Sequence, residues 1–133
     1  MIVIDTSALV DSLTGPKRSA PKLRSLVEVG HRPAIPTLVL YEWLRGPRLP
    51  EELEAQEALF PREQALPFGA DEAARAAALY QELPRSRGRE IDLAIAAHAL
   101  ERGASLWTLN RQDFADVPGL DLVDAEPPTP APE

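Results

Sequence analysis

Apolar and polar positions along this chain fall into two rhythms, and the rhythms alternate. Short apolar, β-branched runs read as buried strands: "IVID" at 2–5, a minimal "AIP" at 34–36, "ALPF" at 65–68, "SLWTL" at 105–109 and "LDLV" at 120–123. Between them lie stretches with helical spacing. "TSALVDSL" follows the first strand, with Thr6 or Ser7 as N-cap, and Gly15-Pro16 breaks it. Residues 19–29 form a second helix that stops at Gly30. Thr37 caps a third, ended by "RGPRLP", and residues 51–60 form an acidic fourth. The alanine- and leucine-rich segment 70–83 has high intrinsic helix propensity. A basic loop, "PRSRGR" at 84–89, leads into the helix "EIDLAIAAHALERG" at 90–103, which ends on Gly103. Residues 110–116 form a turn or short helix. Strands alternating with helices predict an α/β fold whose parallel sheet is covered on both faces.

Length and composition narrow this further. The chain has 133 residues and a hydrophobic fraction of 44%, which suits one domain with a real core, drawn here as 1–124. The Pro-rich remainder, 125–133, lacks core-forming residues and is expected to be a disordered tail. No apolar run reaches the ~20 residues of a membrane span. The N-terminal "MIVIDTSALV" has no basic region and contains Asp5, so it does not read as a signal peptide. A cytoplasmic location is the default expectation. With no cysteine, disulfides, thiolate zinc sites and Cys nucleophiles are excluded. The net charge of −7 argues against a nonspecific nucleic-acid binder, unless the acids are gathered at one place.

Four acids bear on that condition. Asp5 closes the first strand, at the edge of a parallel sheet where ligands collect. It could equally cap the following helix. Glu42 sits among Leu38, Val39, Leu40, Tyr41, Trp43 and Leu44, where an unpaired carboxylate would be costly. It either points outward, pairs with Arg45 or meets a cation. Asp92 stands in the first turn of a helix apolar nearly all round, a position that also suits the helix dipole. Asp113 follows the fourth strand, beside Thr108, Asn110 and Arg111. Brought to one edge, four carboxylates repel, and protons or a divalent cation must resolve the repulsion. Oxygen-only ligands favour Mg²⁺ or Mn²⁺ over zinc. Arg85, Arg87 and Arg89 could contact phosphates or an acidic peptide, or simply be solvated. His98 reads as a core or half-buried residue, and the two tryptophans, Trp43 and Trp107, as core or dimer-interface residues.

Four segments, "IVIDTSAL", "TLVLYE", "EIDLAIAAHAL" and "LWTLNRQDFADVPGLDLV", together resemble the PIN-domain ribonucleases. The likeness is to the VapC-type toxins of toxin–antitoxin pairs, and among these to the FitB-like branch. It runs in order from residue 2 to about residue 124. The resemblance implies a three-layer α/β/α sandwich with a five-stranded parallel sheet of order 3-2-1-4-5. It also implies a pocket for Mg²⁺ or Mn²⁺ in which Asp5, Glu42 and Asp92 are the core ligands and Asp113 is the more variable fourth. Thr6, Thr108 and Asn110 would stand beside these ligands or the substrate, Asn110 where some relatives place another aspartate. Implied as well are metal-assisted hydrolysis of RNA, a homodimer and a small antitoxin whose C-terminal segment covers the pocket.

Two other readings compete. One is a regulatory domain of the phospho-accepting receiver kind, which would want a lysine near the later strands; both lysines, Lys17 and Lys22, come early. The other is a catalytically silent PIN fold used for binding.

Overall fold

The computed structural model describes residues 1–124. The 125–133 tail expected from the sequence lies outside the described residues. Strand β1 (Ile2–Ile4) is fully buried and runs parallel to both of its neighbours, β2 (Pro33–Ala34) and β3 (Ser105–Trp107). Ile2 pairs with Pro33 on one side and Ser105 on the other, while Ile4 pairs with Trp107. Burial on both faces explains why these strands read as continuous apolar runs rather than alternating ones.

The two outer strands expected at 65–68 and 120–123 shrink to single bridges. Leu66 bridges Pro36, and Leu122 bridges Leu106, both parallel. From edge to edge the order is therefore Leu66, β2, β1, β3, Leu122, which follows 3-2-1-4-5 with three strands and one bridge at each flank. Leu66 makes both bonds of this bridge, to the Ile35 carbonyl and from the Thr37 N–H, and pairing stops there because the partner chain turns into a helix at Thr37. On the other flank both bonds converge on Leu106, from its N–H to Asp121 and from Val123 to its carbonyl.

Helices cover the sheet. They are α1 (Thr6–Leu13), α2 (Ala20–Glu28), α3 (Thr37–Arg45), α4 (Pro50–Leu59), α5 (Ala70–Glu82) and α6 (Glu90–Arg102). α1 turns Ala8, Leu9, Ser12 and Leu13 inward, and α3 turns Val39 and Trp43 inward, both at helical spacing. Every residue of α6 from Leu93 to Ala99 is buried, as its all-round apolar pattern requires. α5 packs along it, and Arg102 of α6 bonds Glu72 of α5 at 3.0 Å. α6 ends at Arg102, with Gly103 at φ +60° as its left-handed cap. The N–H groups of Gly103 and Ala104 return to the carbonyls of Leu100 and Ala99, a Schellman closure.

Trp43 and Trp107 are core residues, and Arg48 lies over the Trp43 ring at 4.2 Å. His98 is fully buried, its ring 5.9 Å from that of Phe68. Among the described residues no helix is long and apolar enough to cross a membrane.

Candidate active site

The carboxyl ends of β1 and β3 lie side by side, and the backbone leaves the sheet there. The last ladder bond runs from the Asp5 N–H to the Trp107 carbonyl, at 2.9 Å. Beyond it the expected strand 105–109 stops at Trp107, because the Asp5 carbonyl is taken by the Leu9 N–H of α1 and offers the ladder no further acceptor.

Asp5 is 4% exposed. It occupies the N-cap position of α1, yet its side chain makes no capping bond, so the simple cap reading fails. Instead Oδ2 accepts two hydroxyls, from Thr108 Oγ1 at 2.7 Å and from Ser7 Oγ at 2.9 Å. Each hydroxyl is itself oriented by a backbone donor. The Leu109 N–H reaches Ser7 Oγ at 3.0 Å, and the Asn110 N–H reaches Thr108 Oγ1 at 3.0 Å. Asn110 thus joins through its main chain, while its side chain is exposed. Both hydroxyls end on the same carboxylate oxygen, which leaves Oδ1 for another partner.

Glu42 reaches the same edge from α3. Thr6 Oγ1 donates to its Oε1 at 2.6 Å, a bond between residues 36 apart in sequence. Arg45, one helical turn on, approaches Oε2 at 3.7 Å with a side chain 60% exposed, so the expected alternative of an Arg45 pair exists but is loose. The Arg45 guanidinium also lies over Tyr41, 5.3 Å from the ring centre.

Asp92, in the first turn of α6, links these groups electrostatically. Its carboxyl is pushed up to about 6, first by burial and then by the negative charges of Asp5, Asp113 and Glu42; Arg89 opposes this. Acids from β1's end, α3, α6 and the short 3₁₀ turn Arg111–Asp113 therefore share one field. Asp113 itself is exposed. Among the described residues, no three Asp, Glu or His side chains are drawn tightly enough together to enclose a cation. The donor set nonetheless suits a hard divalent ion in kind: it is all carboxylate, its buried member keeps one oxygen unclaimed by the hydroxyls, and no lysine stands after residue 22.

The arginines divide in a way the sequence did not announce. Arg89 is bound to Asp116, which holds the Asp116 carboxyl below the usual range. Arg111 donates to the Val123 carbonyl, and Arg48 donates to the Trp43 carbonyl. Only Arg85 and Arg87 of the basic loop are left exposed there. Two residues of the site were missed at the level of sequence, Ser7 and Asp116. Ser7 had a signal, a second hydroxyl two places after the strand-closing acid, but read as a helix cap; Asp116 had none.

A parallel three-layer fold with acids collected at the carboxyl edge of its central strand defines the class. The PIN-domain family model matches residues 2–120, and the chain belongs to that family. It is 34% identical over 123 residues to Ribonuclease VapC19 of Mycobacterium tuberculosis, a match covering 90% of this chain and 97% of the relative. The solved structure of DNA-bound VapBC from Salmonella typhimurium contains a chain with a TM-score of 0.77 and 25% identity, covering 93% of this chain and 97% of that one. A toxin–antitoxin complex from Klebsiella pneumoniae contains another, with a TM-score of 0.73 and 26% identity, covering 95% and 98%.

Proposed function

We propose that this protein is an endoribonuclease dependent on Mg²⁺ or Mn²⁺, and the toxin of a toxin–antitoxin pair. The observation that supports it most is the field at Asp92, where three acids, each from a different element, act on one carboxyl. Structural needs alone do not gather like charges around a half-buried acid. The relative named a ribonuclease, matched over nearly its whole length, agrees with that chemistry.

Asp5, Glu42, Asp92 and Asp113 would hold the cation. When bound, it neutralises charge on the phosphate and makes a bound water more acidic. Thr108 and Ser7 hold the Asp5 carboxylate in one orientation, and Thr6 does the same for Glu42. One carboxylate, Asp92 or Asp113, would accept the proton of the attacking water. Because no three acids are closed around a point, binding requires side chains to move inward, and Asp113 is the exposed member.

The partner under this reading is a small antitoxin, as in the VapBC and toxin–antitoxin complexes that contain chains of this fold; the reading also takes the active form to be a homodimer. Family membership leaves the receiver reading without support, and no late lysine answers its need for one.

The test is cleavage of a defined RNA by purified protein with Mg²⁺ or Mn²⁺ and with excess EDTA. Cleavage should require the metal. Asp5→Asn and Glu42→Gln should each abolish it while the circular dichroism spectrum stays unchanged. Undiminished cleavage in EDTA would reject the metal mechanism. Antitoxin binding without cleavage under any metal would mark a silent PIN fold.

A further inference from the structure

One guanidinium ties together three segments around the acidic edge. Arg89 stands at the N-cap of α6, three residues before Asp92. Its Nη1 donates to Asp116 Oδ2 at 2.9 Å and to the Arg85 carbonyl at 3.1 Å. Its Nη2 donates to Asp116 Oδ1 at 2.6 Å and to the Asp113 carbonyl at 2.8 Å. The pair with Asp116 is a bidentate fork, which fixes direction as well as distance. The Arg89 side chain is 18% exposed, so it is not presented to solvent as a loop residue would be.

Local backbone bonds shape the segment, from the Asp113 N–H to the Asn110 carbonyl and from the Phe114 N–H to the Arg111 carbonyl, and Arg89 ties it to the start of α6. The 3₁₀ turn is three residues long, and its N-cap residue Asn110 makes no side-chain cap. Phe114 and Val117 anchor the chain beyond the turn by burial. The Asp113 carboxylate takes part in no hydrogen bond or ion pair among the described residues; its interactions there are the charge fields of Asp92 and Arg89. Where that carboxylate stands is therefore decided by where its backbone is held, and Arg89 bonds that backbone at Asp113 itself.

We propose that Arg89 is a positioning residue for the metal site: its fork on Asp116, with its bond to the Asp113 carbonyl, presets the 111–116 turn so that the Asp113 carboxylate reaches the cation held by Asp5, Glu42 and Asp92. This rests on the reading of those acids as ligands. Lysine cannot replace the arginine, because it keeps the charge and loses the fork. Asp116 acts only through Arg89 and touches no ligand carboxylate.

Calorimetric titration of the full chain with Mn²⁺ tests the idea without any turnover. Arg89→Lys should weaken Mn²⁺ binding about tenfold, the low end of the effect of losing an outer partner of a metal ligand. Asp116→Asn should weaken it similarly, and the double variant should be no worse than either single one. In an Asp113→Asn background, Arg89→Lys should leave Mn²⁺ affinity unchanged. Phe114 and Val117 keep the segment anchored in all of these variants. Should Arg89→Lys not fold, Asp116→Asn alone carries the comparison. Wild-type affinity in Arg89→Lys or Asp116→Asn would overturn the proposal and leave the nuclease reading standing. So would a tenfold loss that persists without Asp113. Failure of the wild-type chain to bind Mn²⁺ would remove both.

Discussion

Asp92 is the residue at which the fold's electrostatic cost is most visible. Its carboxyl is pushed up to about 6 from the ordinary 3.8, because burial and three neighbouring acids disfavour the charged form. Between those two values the folded chain holds more proton than the unfolded one. Stability contributed by this group therefore falls as pH rises through that window, and the deficit is complete above it. Asp92→Asn should accordingly raise the melting temperature of the protein in EDTA at pH 7.5, and the gain should shrink as the pH approaches 4. Thermal melts of both chains across that range check the sign. A variant that melts lower at pH 7.5 would mean that the negative charge is compensated in a way the distances do not show. At the same scale, hydroxyls orient Asp5 and Glu42, and only the second also has a cation, Arg45, loosely beside it.

At the scale of elements, α6 carries the largest structural burden, since it is buried from Leu93 to Ala99 and starts at the acidic edge. Its end is fixed by Gly103 at φ +60°, a conformation that side chains disfavour. No atom lies within 4 Å of where a Cβ would stand at that position, so the cost of adding one is conformational rather than steric. Gly103→Ala should reduce stability by about 1–2 kcal/mol, measured by urea denaturation, with the slope of the transition unchanged. Local pattern was legible here: the apolar run, the first-turn acid and the closing glycine mark α6 to within a residue. The edge strands were less so. "ALPF" and "LDLV" have strand composition, yet each contributes one bridge. Composition reports the preference of a segment for extended backbone, whereas ladder length depends on how much of a neighbour is available to pair.

Across the whole molecule, the proposed metal binding would be linked to stability. An ion that binds the folded chain, and not the unfolded one, stabilises it by about 2.7 kcal/mol when present at 100 times its dissociation constant. Mn²⁺ should therefore raise the melting temperature of the wild-type chain, and Asp5→Asn should lose most of that rise. A rise of equal size in the variant would show that the ion binds elsewhere. The net charge of −7 fits this picture, because four of the acids would be screened by bound metal.

What the sequence determined by itself was the series of elements and the acids they carry. Hydrophobic periodicity, glycine and proline act over a few residues, so they are readable locally. The likeness to PIN-domain chains supplied the strand order, which the sheet follows. Tertiary structure alone decided which hydroxyl serves which carboxylate. Thr6 meets Glu42 across 36 residues and Thr108 meets Asp5 across 103, separations no local rule spans. It also took Arg89 from a basic loop whose partner, phosphate, acidic peptide or solvent, the sequence left open and closed it on Asp116. An arginine's charge is written in its codon, but its partner is set by packing, which brings distant segments to within hydrogen-bond reach.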